Sequence, residues 1–137
     1  MSKADPREAW AILGELVLDN ERRREVSEAV GLSFGKVRAI RRIARRPMSM
    51  SELAAALNTD PPNATTVVDE LEKLGLAQRQ PHPTDGRAKV VTATRKGVAL
   101  ARRADEILST PPPGLLALPE RDLDELLRIA KRIRDHG

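Results

Sequence analysis

The side chains with the most chemistry to offer in this sequence are its arginines. Between Lys36 and Arg46 stand Lys36, Arg38, Arg41, Arg42, Arg45 and Arg46 with no acid among them, and Arg22, Arg23 and Arg24 form a second run. A guanidinium is always charged and donates hydrogen bonds in a planar fork, so such runs suit recognition of phosphate or carboxylate groups. The same runs are equally compatible with a plain solvated helix face. Other chemistries are missing. The chain has no cysteine, which excludes disulfides, thiolate ligands and an oxidant sensor built on a thiol. His82 lies in a turn-like stretch and His136 beside the last residue. Neither has a partner at metal-ligand or triad spacing, and both read as surface histidines. The acids alternate with Lys and Arg on helix faces, so no catalytic constellation is visible and no enzyme is expected.

Composition narrows the class further. The 137 residues carry 24 basic and 20 acidic side chains, a net charge of +4, with 40% apolar residues. That is too apolar for general disorder and too charged for a membrane protein, and no apolar run approaches the ~20 residues of a bilayer span. Met1 to Asp5 lacks the charged-then-apolar order of a secretory signal. These features predict a cytoplasmic protein with one main core.

The elements that must position the basic residues follow from periodicity and caps. Pro6, Trp10, Leu13 and Val17, with Ile12 and Leu16 beside them, predict a helix that continues through Val26 and Val30 to Gly31. A second begins at Ser33, turns Val37, Ile40, Ile43 and Ala44 inward and stops before Pro47. Ser49 and Glu52 make a capping box, with Met48 and Leu53 as its hydrophobic staple, for a short helix from Met50 to Leu57. Asp60 and Pro61 then start a helix in which Ala64, Val67, Val68, Leu71 and Leu74 recur at helical spacing up to Gly75. Residues 76–80 and 88–94 suit strands, separated by the turn formers Pro81 to Gly86. A helix from Thr94 carries Val98, Ala101, Ile107 and Leu108 until the break at Ser109 to Gly114, and the last runs from Pro119 to Asp135. Its stripe is Leu123, Leu126, Leu127, Ala130 and Ile133.

Two short helices joined by a tight turn and followed by a basic hairpin make a winged helix-turn-helix, a mainly α fold with a small β-hairpin wing. The order predicts a DNA-binding lobe over 33–97, and helices over 6–30 and 98–136 whose apolar stripes need a second copy to cover them. The expectation is therefore a homodimer on double-stranded DNA.

At this point the sequence resembles the multiple antibiotic resistance regulator (MarR) family of ligand-responsive winged-helix repressors. The residues that carry the likeness are Ser49 to Leu57, Val67 to Ala77 and Arg79 to Gly97, the last holding Asp85, Arg87, Thr94 and Gly97 at the family's wing spacing. The resemblance implies that Arg87 enters the minor groove and that Asp85 holds its guanidinium. The helix from Pro61 departs from the family: Pro62 and Thr66 stand where serine and arginine are common, and Asp60, Asp69, Glu70 and Glu72 outnumber Lys73. Base contacts then fall to Asn63, Thr65 and Thr66, which favour A·T pairs. Asn63 is equally readable as a second cap. Phosphate contacts fall to Ser49, Ser51, Arg79, Arg87 and Lys89, with part of the Arg38 to Arg46 group. The resemblance also implies an effector, a small aromatic carboxylate or a phenol, for which the two rings, Trp10 and Phe34, are the candidate contacts. A winged helix that binds only proteins is the alternative, and steep salt dependence of binding separates the two.

Overall fold

Local signals in the sequence start and stop most of the helices of the computed structural model, which describes residues 3–17 and 20–137. The elements are α1 (Pro6–Val17), α2 (Asn20–Val30), α3 (Phe34–Arg45), α4 (Met50–Ala56), α5 (Pro61–Lys73), β1 (Ala77–Pro81), β2 (Lys89–Ala93), α6 (Arg95–Leu108), α7 (Pro113–Leu116) and α8 (Glu120–His136). The first predicted helix is thus seen as α1 and α2, and the junction at residues 18 and 19 lies outside the described residues. Ser33 caps α3 from its side chain, and Ser49 and Glu52 form the reciprocal capping box of α4. Asp60 accepts the Asn63 backbone N–H at the start of α5. Each such cap satisfies backbone donors that have no partner inside the helix.

The turns between elements are equally local. At the end of α5 the Gly75 N–H donates to the Glu72 carbonyl and the Leu76 N–H to the Leu71 carbonyl, both at 2.9 Å. Gly75 takes the left-handed φ of 74° that this double bond needs. Asn58 does the same after α4, with φ 52°, and so sets the turn between the two helices of the helix-turn-helix. The antiparallel hairpin pairs Ala77 with Ala93, Arg79 with Val91 and Pro81 with Lys89. Pro81, expected in the turn, therefore ends β1, a strand-terminal position where a missing N–H is tolerated. Met48 exchanges two backbone hydrogen bonds with Val91 and extends the hairpin by one bridge.

The core sits where α2, α3, α4, α5 and α6 meet the root of the hairpin. Val26, Val37, Ile40, Leu53, Val68, Leu71, Leu76 and Val91 are its fully buried large side chains, and Ala101 and Ala104 of α6 join them. The core therefore runs across the expected boundaries at 33 and 97. Gly97 explains the close fit of α6: a Cβ there would stand 2.0 Å from the Leu76 carbonyl oxygen. Thr94 fastens the same joint, donating its hydroxyl to the Gly75 carbonyl at 2.7 Å and accepting the Gly97 N–H at 3.1 Å. The Thr-x-x-Gly spacing is thus a packing device between wing and helix.

Several inward assignments are corrected. Leu74 and Val98 are exposed, because Leu74 caps α5 past its last helical turn and α6 turns Ala101 and Ala104 to the core instead. The break after α6 is not continuous, since residues 113–116 form the short helix α7. Neither α1 nor α8 buries any residue. Leu123, Leu126, Leu127 and Ile133 stay open in the single chain, as does the α1 stripe through Trp10, Leu13, Leu16 and Val17.

Candidate nucleic-acid interface

The first half of α5 offers a short polar surface. Pro61, Pro62, Asn63, Thr65 and Thr66 are exposed, while Ala64, Val68 and Leu71 face the core. The Thr65 and Thr66 hydroxyls donate back to the Pro61 and Pro62 carbonyls at 3.0 and 3.1 Å. Each threonine spends its proton inside the helix, and what it can offer a base is a methyl group and an oxygen lone pair. The Asn63 side chain donates from Nδ2 to the Thr59 hydroxyl at 2.7 Å. One amide hydrogen and the carbonyl oxygen remain, which is what bidentate pairing with adenine uses.

The acids of α5 are neutralised from within the fold. Arg79 on β1 bonds Asp69 at 2.8 Å and also pairs with Glu72, and Lys36 on α3 meets Glu70 at 3.2 Å. Arg79, expected on phosphate, is thus engaged inside the fold. Its guanidinium pairs with two carboxylates and so ties the wing to α5. Within the Arg38 to Arg46 group, Arg41 bonds Asp105 at 2.5 Å and Arg46 bonds Glu52 at 3.0 Å. Ser49 spends its hydroxyl as an acceptor in the α4 cap, whereas Ser51 beside it is exposed. The Glu52 carboxyl is held below its ordinary value, first by the Ser49 backbone N–H and then by Arg46 and the Ser49 hydroxyl.

The hairpin tip is a built turn. The Ala88 N–H reaches the Asp85 carbonyl and the His82 N–H the Ala88 carbonyl, at 3.1 and 2.9 Å. Asp85 accepts the backbone N–H of Arg87 at 3.1 Å, and among the described residues no ion pair joins it to the Arg87 guanidinium. Its role in the free protein is to shape the turn, and the clamp implied by the resemblance is not formed. Arg87 and Lys89 are both exposed beyond it. His82, expected as a solvated surface histidine, helps to build this turn. It is half-buried and its Nδ1 accepts the backbone N–H groups of Thr84 and Asp85, each at 3.1 Å. Its position at the head of the Pro-Thr-Asp-Gly turn is what brings these donors to it.

On the other side of α3 lies a cavity of about 1020 Å³. Leu13, Leu16 and Val17 of α1, Phe34, Arg38 and Arg41 of α3, and Arg22 and Arg23 of α2 line it, with Leu108, Pro112, Gly114, Leu115, Leu118 and Leu126 opposite. Phe34, one of the two candidate contacts, is in this lining. Trp10 is not: it is 75% exposed and outside the lining, because it occupies a turn of α1 that the rest of the chain does not reach.

Comparison with known proteins places this geometry. A sequence profile described as the MarR family matches residues 30–88. A putative transcriptional regulatory protein for the hcr operon of Thauera aromatica is 29% identical over 122 residues, covering 88% of this chain and 74% of its own. A helix-turn-helix-type transcriptional repressor of Mycobacterium tuberculosis is 32% identical over 99 residues, covering 69% and 71%. Among solved structures, the regulator BldR of Sulfolobus solfataricus aligns over all of both chains with a TM-score of 0.71 at 24% identity. NadR, solved in complex with 4-hydroxyphenylacetate, aligns over 98% of this chain and 87% of its own, with a TM-score of 0.65 at 20% identity. Matched from the core of the lobe to the wing, the chain belongs to the MarR family of winged helix-turn-helix transcription regulators.

Proposed function

We propose that two copies of this chain, joined through α1 and α8, repress transcription by binding a pseudo-palindromic, A·T-rich operator. The observation that carries the reading is the arrangement of charge on one face. The first half of α5 is left polar and uncharged beyond its cap, the acids of its second half are paired with Arg79 and Lys36, and Arg87 and Lys89 stand exposed on the adjoining wing. Such a face suits insertion of α5 in the major groove with the wing on the neighbouring minor groove. Without a basic donor in its first three turns, α5 has no bidentate partner for guanine, and threonine methyls meet thymine methyls. The open apolar stripes of α1 and α8 are the surface a second copy would cover.

Selection of bound sequences from random duplexes tests this. An A·T-rich inverted repeat bound with a steep loss of affinity on adding salt supports it. Failure to enrich any sequence, together with salt-insensitive binding to a protein partner, favours the interaction-module alternative.

We further propose that an organic anion in the cavity beside α3 controls operator binding. The arginines of its wall and the ligand bound by the structurally similar NadR support the reading. Displacement of a selected duplex by candidate acids is its test.

A further inference from the structure

We infer that the occupant of the cavity beside α3 is an amphiphile with a long aliphatic chain and a carboxylate head, and that Arg38 holds the head. The inference rests on the effector reading above and narrows it. In the single chain the cavity measures about 1020 Å³, and a second copy on α1 and α8 would take part of that space. Its wall is aliphatic, with Leu16, Val17, Leu115, Leu118 and Leu126 prominent, and Phe34 is its one ring. An aromatic ligand gains from stacking on aromatic faces. Here one face of Phe34 is taken, since the Arg23 guanidinium lies 4.9 Å from the ring centroid. A flexible chain needs no such face and gains from burying methylene groups against leucine and valine.

The arginines are unequally committed. Arg22 donates to the Leu108 carbonyl at 3.3 Å, Arg41 is paired with Asp105, and Arg23 covers Phe34. Arg38, half-buried on α3 between Phe34 and Arg41, lines the same cavity and has no hydrogen-bond or ion-pair partner among the described residues. A guanidinium partly withdrawn from water at an apolar wall is a site for a carboxylate, which it can hold with two parallel bonds.

The test is calorimetric titration of the dimeric full chain with palmitate, hexadecanol and 4-hydroxyphenylacetate, with binding to a selected duplex measured on the same preparations. Palmitate is expected to bind about tenfold or more tightly than either other probe, and Arg38→Gln to weaken it by about tenfold without changing the melting temperature of the unliganded protein. Arg24→Gln, a charge removed away from the cavity, is expected to leave palmitate binding unchanged. Tighter binding of 4-hydroxyphenylacetate than of palmitate overturns the aliphatic assignment, and hexadecanol equal to palmitate overturns the carboxylate. Unaltered palmitate binding by Arg38→Gln overturns the anchor. If no probe binds while the duplex still does, the inference fails and the DNA-binding reading stands. If the unliganded chain binds no duplex, the underlying reading fails instead.

Discussion

At the scale of single residues, Arg87 carries the sharpest expectation. Its side chain is exposed at the hairpin tip, outside the core, so Arg87→Ala removes the proposed groove contact and no packing. Operator binding should weaken by about 1–3 kcal/mol, with loss of part of the preference for narrow A·T-rich minor grooves. Lys89→Ala should weaken all duplexes alike and lower the salt slope by about one unit. Binding of both variants to one operator and one scrambled duplex over a salt series checks this, and unchanged affinity for Arg87→Ala would mean that the wing does not touch DNA. The spacing of Asp85 and Arg87 was legible in the sequence, but not what Asp85 does. A carboxylate two residues before an arginine can reach either its backbone N–H or its guanidinium. The 3.1 Å bond to the backbone shows which is used in the free protein.

At the scale of elements, the tie between β1 and α5 is the main addition made by the structure. Arg79→Gln should uncover Asp69 and Glu72 beside the face proposed to meet DNA and release the wing from the helix. Duplex affinity should fall about tenfold from like-charge repulsion, while stability changes by less than ~1 kcal/mol because the pairs are solvent-screened. Thermal melts beside binding isotherms separate the two effects, and an equal fall in both would mean that Arg79 is merely structural. The α4 cap has its own pH signature. Glu52 has a lowered pKa in the folded protein, so its contribution is present above its unfolded value and is lost as pH falls through the folded one. The melting temperatures of wild type and Glu52→Gln should differ at neutral pH and converge in acid. A constant difference would exclude the carboxylate as the cause. Caps of this kind were readable from sequence because their partners lie three residues apart, as Ser49 and Glu52 do. The Arg79 pairs were not, because β1 and α5 come together only through the turn at Gly75.

At the scale of the whole molecule, the open stripes of α1 and α8 predict association. Trp10 and Ile133 are 75% and 60% exposed in the single chain, and exposed apolar stripes of this kind mark surfaces that a partner covers. Sedimentation at low micromolar concentration should give twice the 15.1 kDa chain mass, and Leu127→Asp should shift the protein toward monomer. A single-chain mass for the wild type would remove the dimer. Sequence by itself determined the element order, the helix caps, the hairpin and the family, because each depends on residues near one another in the chain or on a pattern copied whole. It also determined that the outer stripes were apolar, and assigned them to a second copy of the chain. Only the tertiary structure decided which charges are already spent. Arg41 and Asp105 are 64 residues apart in sequence and 2.5 Å apart in space, whereas Arg38, one helical turn from Arg41, is left facing a cavity. A count of arginines is a local property, but the pairing of each depends on which helix packs against it.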